Sequence, residues 1–197
     1  MANGRPGRAR SEKSRLAILE ATRDELVARG YDKFSIDRVS AMAGVGKQTI
    51  YRWYPTKSAL VAEGILHGNL SPTIPVAHSD DIRRDITAWM SDFAHATANP
   101  DNAALLRATT SATAENAAVA AQYEDQVTRK TRAALVSRFQ DAIKVGQVRE
   151  EAPVHAAVEA LLGAVLIRVL TRQEVDQAVV NELIDVVFIG LGVVRER

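Results

Sequence analysis

The chain has 197 residues, 47% of them hydrophobic and 25% charged, with a formal net charge of +1. That describes one domain or two small ones with enough apolar content for a core, and it excludes a chain disordered throughout. Cysteine is absent, which removes disulfide frameworks, thiolate catalysis, Fe–S clusters and cysteine zinc sites together and fits a reducing compartment.

The charge is unevenly placed. Residues 1–60 hold twelve Lys/Arg against six acids, and the remainder holds thirteen against eighteen. A basic first third on an acidic remainder suggests a polyanion-binding module joined to something else, with chance clustering on solvated helix faces as the alternative.

Residues 1–10 carry Gly, Pro and three Arg with nothing to bury, and read as a disordered basic arm. From Ser11 the pattern is helical. Ser11 can cap, Glu12 suits the positive helix end, and Ile18, Leu19, Thr22 and Leu26 share one stripe. Gly30 closes that helix. Ser35 caps a second helix with Ile36, Val39 and Ala43 inward, and Gly44-Val45-Gly46 makes a tight turn. A short third helix from Lys47 to Tyr54 stops before Pro55. Thr56 caps a fourth, and a loop with two Pro and a Gly lies between Gly68 and Ser79.

Five further helical stretches are predicted near 80–98, 101–112, 115–146, 153–171 and 176–194, with breaks at Asn99-Pro100, Gly146, Pro153 and around Gln173. No segment shows the period-2 alternation of a strand, so the fold class is all-α. No uncharged apolar run reaches the ~18 residues of a membrane span, and the N-terminus leads into no apolar signal segment. A cytoplasmic protein without a membrane partner is expected.

Helices two and three, joined by a glycine-containing turn, form a helix-turn-helix unit. Ala43 is small where the helices approach, and Val45 can plug the angle between them. The third helix turns Ile50 and Tyr54 inward and offers Lys47, Gln48, Thr49, Arg52 and Trp53. Amide, hydroxyl and cationic groups at the start of such a helix suit the major groove of double-stranded DNA. Tyr51, Trp53 and Lys57 add phosphate-directed donors. Core packing is the competing role for Tyr51 and Trp53, and a solvated helix face for Gln48. Arg5, Arg8 and Arg10 of the arm can enter a minor groove or supply only nonspecific attraction, and both readings stand.

Other patterns carry less. Gly44 to Thr49 lacks the Gly and Ser/Thr of a phosphate-binding loop at positions 41 and 48, where Ala41 and Gln48 stand. His78-Ser79-Asp80 sets triad residue types side by side without a nucleophile elbow, and is simpler as a helix cap. Glu63/His67 and Glu151/His155 share helix faces but lack the Glu-x-x-His of a di-iron bundle. No catalytic residue, metal or cofactor is expected.

Between Val154 and Leu170 the strongly polar residues are His155, Glu159 and Arg168, and between Ala178 and Val194 they are Asn181, Glu182 and Asp185. Helices apolar over most of their circumference are buried on more than one side. The second side meets another subunit in a two-fold homodimer, with Val158, Leu161, Val165, Leu183 and Val187 as contacts, unless the core is one thick monomeric layer. The middle helices carry Trp89, Met90, Phe93, Tyr123 and Phe139, with His95, Gln122 and Arg132 interspersed, which fits either a small-molecule pocket or an ordinary core.

Residues 13–66 resemble the DNA-binding domain of the TetR family of transcriptional regulators. The likeness rests on Arg29-Gly30-Tyr31, Ala43-Gly44-Val45, Thr49-Ile50-Tyr51 and Tyr54-Pro55-Thr56-Lys57 at this spacing. Thr22 and Glu25 stand where Ala and Leu are frequent in the family, and Trp53-Tyr54 replaces an aromatic-Phe pair. The resemblance implies that Lys47, Gln48 and Thr49 read base edges, and that Tyr51, Trp53, Lys57 and Ser35 lie along the phosphates. It also implies dimerisation through the last two helices and an effector pocket in the larger domain.

The expected organisation is an arm (1–10), a helix-turn-helix domain (11–55) and a helical effector-binding and dimerisation domain (56–197) that opens with a connecting helix (56–67). The expected function is a DNA-binding repressor, dimeric and released by an unidentified small molecule. An all-helical enzyme or small-molecule carrier with a basic partner-binding module is the alternative.

Overall fold

A computed structural model describes the backbone of residues 6–67 and 74–191, and the side chains of residues 12–64 and 74–191. All regular structure among these residues is helical: α1 (Pro6–Arg29), α2 (Ile36–Met42), α3 (Lys47–Trp53), α4 (Lys57–His67), α5 (Ile82–Ala98), α6 (Pro100–Glu115), α7 (Ala117–Tyr123), α8 (Arg129–Lys144), α9 (Val154–Leu170) and α10 (Gln177–Gly190). A single π-helical turn, Glu124–Thr128, precedes α8.

The helix boundaries differ from expectation in three places, each for a local reason. α1 begins at Pro6 rather than Ser11, so residues 6–10 of the expected arm are helical. Proline suits the first helical position because its missing N–H would have no partner there. The expected 101–112 helix runs on to Glu115, and the next starts at Ala117 rather than 115 and continues through the π-helical turn to Lys144; the Asn116 side chain sets this junction by accepting from the N–H groups of Ala118 (2.9 Å) and Val119 (3.3 Å). Before α5 the cap is Asp81, whose Oδ1 accepts from the Arg84 N–H at 3.0 Å. At Gly30, Gly44 and Thr56 the turn chemistry is as read. Gly30 (φ +72°) and Gly44 (φ +63°) take left-handed backbone, and Thr56 Oγ1 accepts from the Ala59 N–H at 3.0 Å. Ser35 occupies the N-cap position of α2 but makes no side-chain cap.

By contacts the chain forms two compact units. The first comprises α1–α4 together with α6 and α7, and the second comprises α5 with α8–α10. The first is thus not a single stretch of sequence.

In the first unit α1 packs on α2 and α4, α2 on α3, and α4 on α7. Its core gathers Ile18, Leu26, Val39, Ile50, Leu60 and Val61 with Leu105, Ala108 and Ala112 of α6 and Val119 of α7. Two contacts fasten α1 to α4. Arg15 donates to Glu63 at 2.7 Å, and Thr22 lies against Gly64. The Thr22 hydroxyl is satisfied within its own helix by the Ile18 carbonyl at 2.8 Å, so its methyl is left to pack. A Cβ built on Gly64 would stand 2.8 Å from Thr22 Cγ2.

In the second unit α5 packs on α8, α9 and α10. Fully buried residues include Ile86, Met90, Leu135, Phe139, Leu161 and Phe188, and the Phe139 and Phe188 rings meet at 5.9 Å. A buried ion pair lies inside this unit. Arg138 Nε donates to Asp85 Oδ2 at 2.7 Å, and both side chains are buried. The Ser79 N–H (2.8 Å) and hydroxyl (2.5 Å) complete the carboxylate, and Arg138 Nη2 returns to the Ser79 carbonyl at 3.2 Å. Burial pushes the Asp85 carboxyl up, but the Ser79 and Arg138 hydrogen bonds outweigh it and hold the group below the ordinary range.

The α1–α4 approach yields a test. Gly64→Ala forces the helices or Thr22 to shift, with an expected net loss of about 1–2 kcal/mol after the helix-propensity gain. Thr22→Ala removes the opposing methyl, so the double variant should recover part of that loss. A urea-unfolding double-mutant cycle should show coupling above about 0.5 kcal/mol. Strict additivity would mean that the two positions do not constrain each other.

Candidate nucleic-acid interface

α3 is a seven-residue helix whose inner face is locked and whose outer face is polar. Ile50 is fully buried and Tyr54 nearly so. Ala43 and Val45 of the turn pack partly against the same core, as does Trp53. Lys47, Gln48, Tyr51 and Arg52 are exposed, and Thr49 and Ser35 are half-buried. The backbone follows the sequence reading: the Gly44 N–H reaches the Ala41 carbonyl at 3.3 Å and the Val45 N–H the Ser40 carbonyl at 3.0 Å.

Several described cations on this unit are engaged. Lys47 Nζ stands 2.6 Å from Asp37 Oδ1 and 5.9 Å from the Tyr51 ring centroid. The Arg52 guanidinium lies 6.0 Å from the Trp53 ring. Lys57 Nζ sits 4.0 Å over the Tyr31 ring, and the Tyr31 hydroxyl donates to Glu115. Arg38 spans from α2 to the buried Glu25 of α1, with Nε 2.7 Å from the carboxylate, and also donates to the Lys33 carbonyl. Asp37, Arg38 and Tyr31 were not among the expected site residues. Asp37 and Lys47 are ten residues apart, a spacing with no meaning until the turn folds back. Trp53 is half-buried, packed partly against the core. Arg5 lies outside the described residues, and so does the side chain of Arg8.

His78, Ser79 and Asp80 do not converge. His78 faces Asp141 at 3.0 Å, Ser79 binds Asp85, and Asp80 pairs with Arg84 at 2.8 Å. Among the described residues no group of three or more metal-ligating side chains comes together, and no helix is long and apolar enough to cross a membrane.

The expected pocket residues fall in both units. Trp89, Met90 and Phe139 are buried in the second. Trp89 stacks on Phe93 with centroids 5.3 Å apart and donates to the Ile74 carbonyl at 3.2 Å. Tyr123 instead packs partly against the first unit's core, because the chain leaves that unit only after α7.

The side chains expected as dimer contacts have these places in the protomer. Val158, Leu161 and Val165 are fully buried within the protomer, Val187 is buried and Leu183 half-buried. These side chains serve the protomer's own core. The apolar side chains left outward on α9 and α10 are Ile167, Leu170, Val186 and Ile189, with Val186 and Ile189 70% and 75% exposed. A helix with two apolar stripes does not reveal which one its own core takes.

Family models match in both parts of the chain: the tetR family of bacterial regulatory proteins over residues 18–63, and the tetracyclin repressor-like C-terminal domain over residues 76–187. An HTH-type transcriptional regulator of Bacillus subtilis, YdeS, is 25% identical over 186 residues, covering 94% of this chain and 93% of its own. The crystal structure of the TetR family transcription regulator SCO0332 aligns with a TM-score of 0.64 at 30% identity, over 90% of this chain and 98% of that one. FadR from Bacillus subtilis, solved with stearoyl-CoA, shares the fold at 16% identity with a TM-score of 0.63, over 89% and 98% of the two chains. These matches set aside the enzyme alternative: the chain belongs to the TetR family of transcriptional regulators, DNA-binding helix-turn-helix proteins that are not enzymes.

Proposed function

We propose that this regulator is a repressor, bound to operator DNA as a homodimer and released by a small-molecule effector. The observation that carries the DNA reading is α3 itself: Ile50 and Tyr54 hold one face in the core, while Lys47, Gln48 and Arg52 stand exposed on the helix. In this reading Lys47, Gln48 and Thr49 meet base edges in the major groove, and Ser35, Tyr51, Trp53 and Lys57 lie along the phosphates. Arg5 and Arg8 also contact the DNA in this reading, in a minor groove or by nonspecific attraction to the phosphates. Residues 11–55 read the DNA, and 56–197 carry effector binding and dimerisation, in the cytoplasm where the duplex is. A relative from Mycobacteroides abscessus named as the DNA-binding transcriptional repressor TetR, 34% identical over 82 residues (42% of this chain and 43% of that protein), supports the repressor role.

Binding to a duplex enriched from a random pool should be dimeric and steeply salt-dependent. Lys57→Ala should weaken all sequences alike and flatten the log K against log salt slope by ~0.9 for each phosphate it no longer neutralises. Gln48→Ala should instead lose ~1–3 kcal/mol of discrimination at one base position per half-site. Unchanged sequence preference in Gln48→Ala would remove Gln48 from the readout.

The dimer face is assigned to the outward stripe of α9 and α10, with Ile167, Leu170, Val186 and Ile189. Because Val186 and Ile189 are exposed in the protomer, Val186→Glu and Ile189→Glu should leave the protomer folded. In a dimer each would bury an unpaired carboxylate at a cost of several kcal/mol. Sedimentation should show a folded monomer, and an intact dimer would place the interface elsewhere.

The effector site is assigned to the aromatic side chains of the second unit, Trp89, Phe93 and Phe139, with Met90 among them. An effector must bind the DNA-incompetent form more tightly, since equal affinity shifts nothing. A compound that raises the melting temperature in an apolar-ligand screen should weaken duplex binding. Duplex should lower its affinity by the same factor in calorimetry. Equal ligand affinity with and without duplex would refute effector release.

A further inference from the structure

Among the cations exposed on α3, Lys47 is the one tied to a carboxylate. Asp37 lies in the first turn of α2, where its charge suits the helix end, and Lys47 is the first residue of α3. The 2.6 Å contact therefore bridges the two helices of the helix-turn-helix. Both side chains are well exposed, 68% and 47%, so the pair adds little to stability. Its consequence is electrostatic. The Asp37 hydrogen bond holds the Lys47 ammonium above the ordinary lysine range, so the lysine stays charged, yet the pair as a whole is neutral. An ammonium has three N–H donors, and the bond to Asp37 uses one. The other two remain for an acceptor that comes within reach of the pair.

We propose that Asp37 is a specificity-determining positioning residue, holding Lys47 so that its charge is withheld from the phosphates of non-matching DNA. This rests on the reading of α3 as the DNA-contacting helix. Phosphates attract any cation whatever the sequence, and a long flexible lysine at the groove edge would swing to them. Tethering removes that sequence-independent gain while leaving donors for a base edge. Discrimination rises because binding to the wrong sequence is weakened.

The test uses the full chain and a random-sequence duplex of about 30 base pairs, long enough for two half-sites one turn apart. Binding is followed by fluorescence anisotropy across a salt series. Asp37→Asn should bind this duplex several-fold more tightly at low salt. Its log–log slope should steepen by ~0.9 for each lysine released, about two for a dimer. The affinity ratio between a selection-enriched duplex and the random pool should fall. Asp37→Glu should restore the wild-type slope, and in a Lys47→Ala background Asp37→Asn should change nothing.

Asp37→Ser, suited to a first helical turn, replaces the asparagine variant if that one does not fold. A wild-type slope in Asp37→Asn overturns the proposal. So does a slope change that persists without Lys47, since Asp37 would then act only as a general repulsive charge. Failure of the wild-type protein to bind any duplex refutes the underlying DNA reading instead.

Discussion

The burial of Ile50 is the constraint on which the reading face depends. α3 has seven residues, two turns of helix, and a helix so short does not persist in water. It exists because its inner face is taken up by a core it did not build. Ile50 meets a cluster that includes Ile18 and Leu26 of α1, Val39 of α2 and Leu60 of α4. That core in turn requires α1 and α4 to lie close enough for Gly64 to face Thr22 without a Cβ between them. The positions of Lys47 and Gln48 are consequences of packing on the opposite side of their helix.

Charge on the same unit follows a comparable division of labour. Glu25 is buried and would be costly alone; Arg38 reaches in from α2 to satisfy it and so braces α1 against α2. Lys57 is held over Tyr31, whose hydroxyl is bonded to Glu115 at the end of α6, and Asn116 donates to Ser58 at 3.2 Å. The start of α4 is thereby tied to the α6–α7 junction through polar contacts as well as through the core. Several described cations of the first sixty residues accordingly have a partner chosen by the fold.

The second unit solves a different problem. Its interior holds an Asp85–Arg138 pair among apolar helices, and both oxygens of the carboxylate are hydrogen-bonded, by Arg138 or Ser79. An isolated carboxylate there would be several kcal/mol unfavourable. The pair is tolerable because the backbone ahead of α5 turns to offer the Ser79 N–H and hydroxyl to one end and its carbonyl to the guanidinium. This also explains why His78-Ser79-Asp80, suggestive as a string of letters, has no common purpose: each residue faces a different partner.

Local physics was legible in the chain. Apolar periodicity, Gly30, Gly44, Pro55 and Thr56 specified an all-helical protein and the helix-turn-helix. The alternation of Ile50 and Tyr54 with Lys47, Gln48 and Arg52 identified the inward and outward sides of α3. These features depend on neighbours within a few residues, so sequence spacing determines them. What depends on distant partners was decided by the tertiary structure alone. α6 and α7 joined the first unit because Leu105, Ala108, Ala112 and Val119 complete its core, although they follow α5 in the chain. Val158, Leu161 and Val165 turned to the protomer's interior and left Ile167, Leu170, Val186 and Ile189 outside, because two apolar stripes on one helix are equivalent until something packs on one of them. Asp37 met Lys47, and Tyr31 met Lys57 and Glu115, only when the turns brought separate helices within hydrogen-bonding or ring-contact range, a distance that no spacing along the chain encodes.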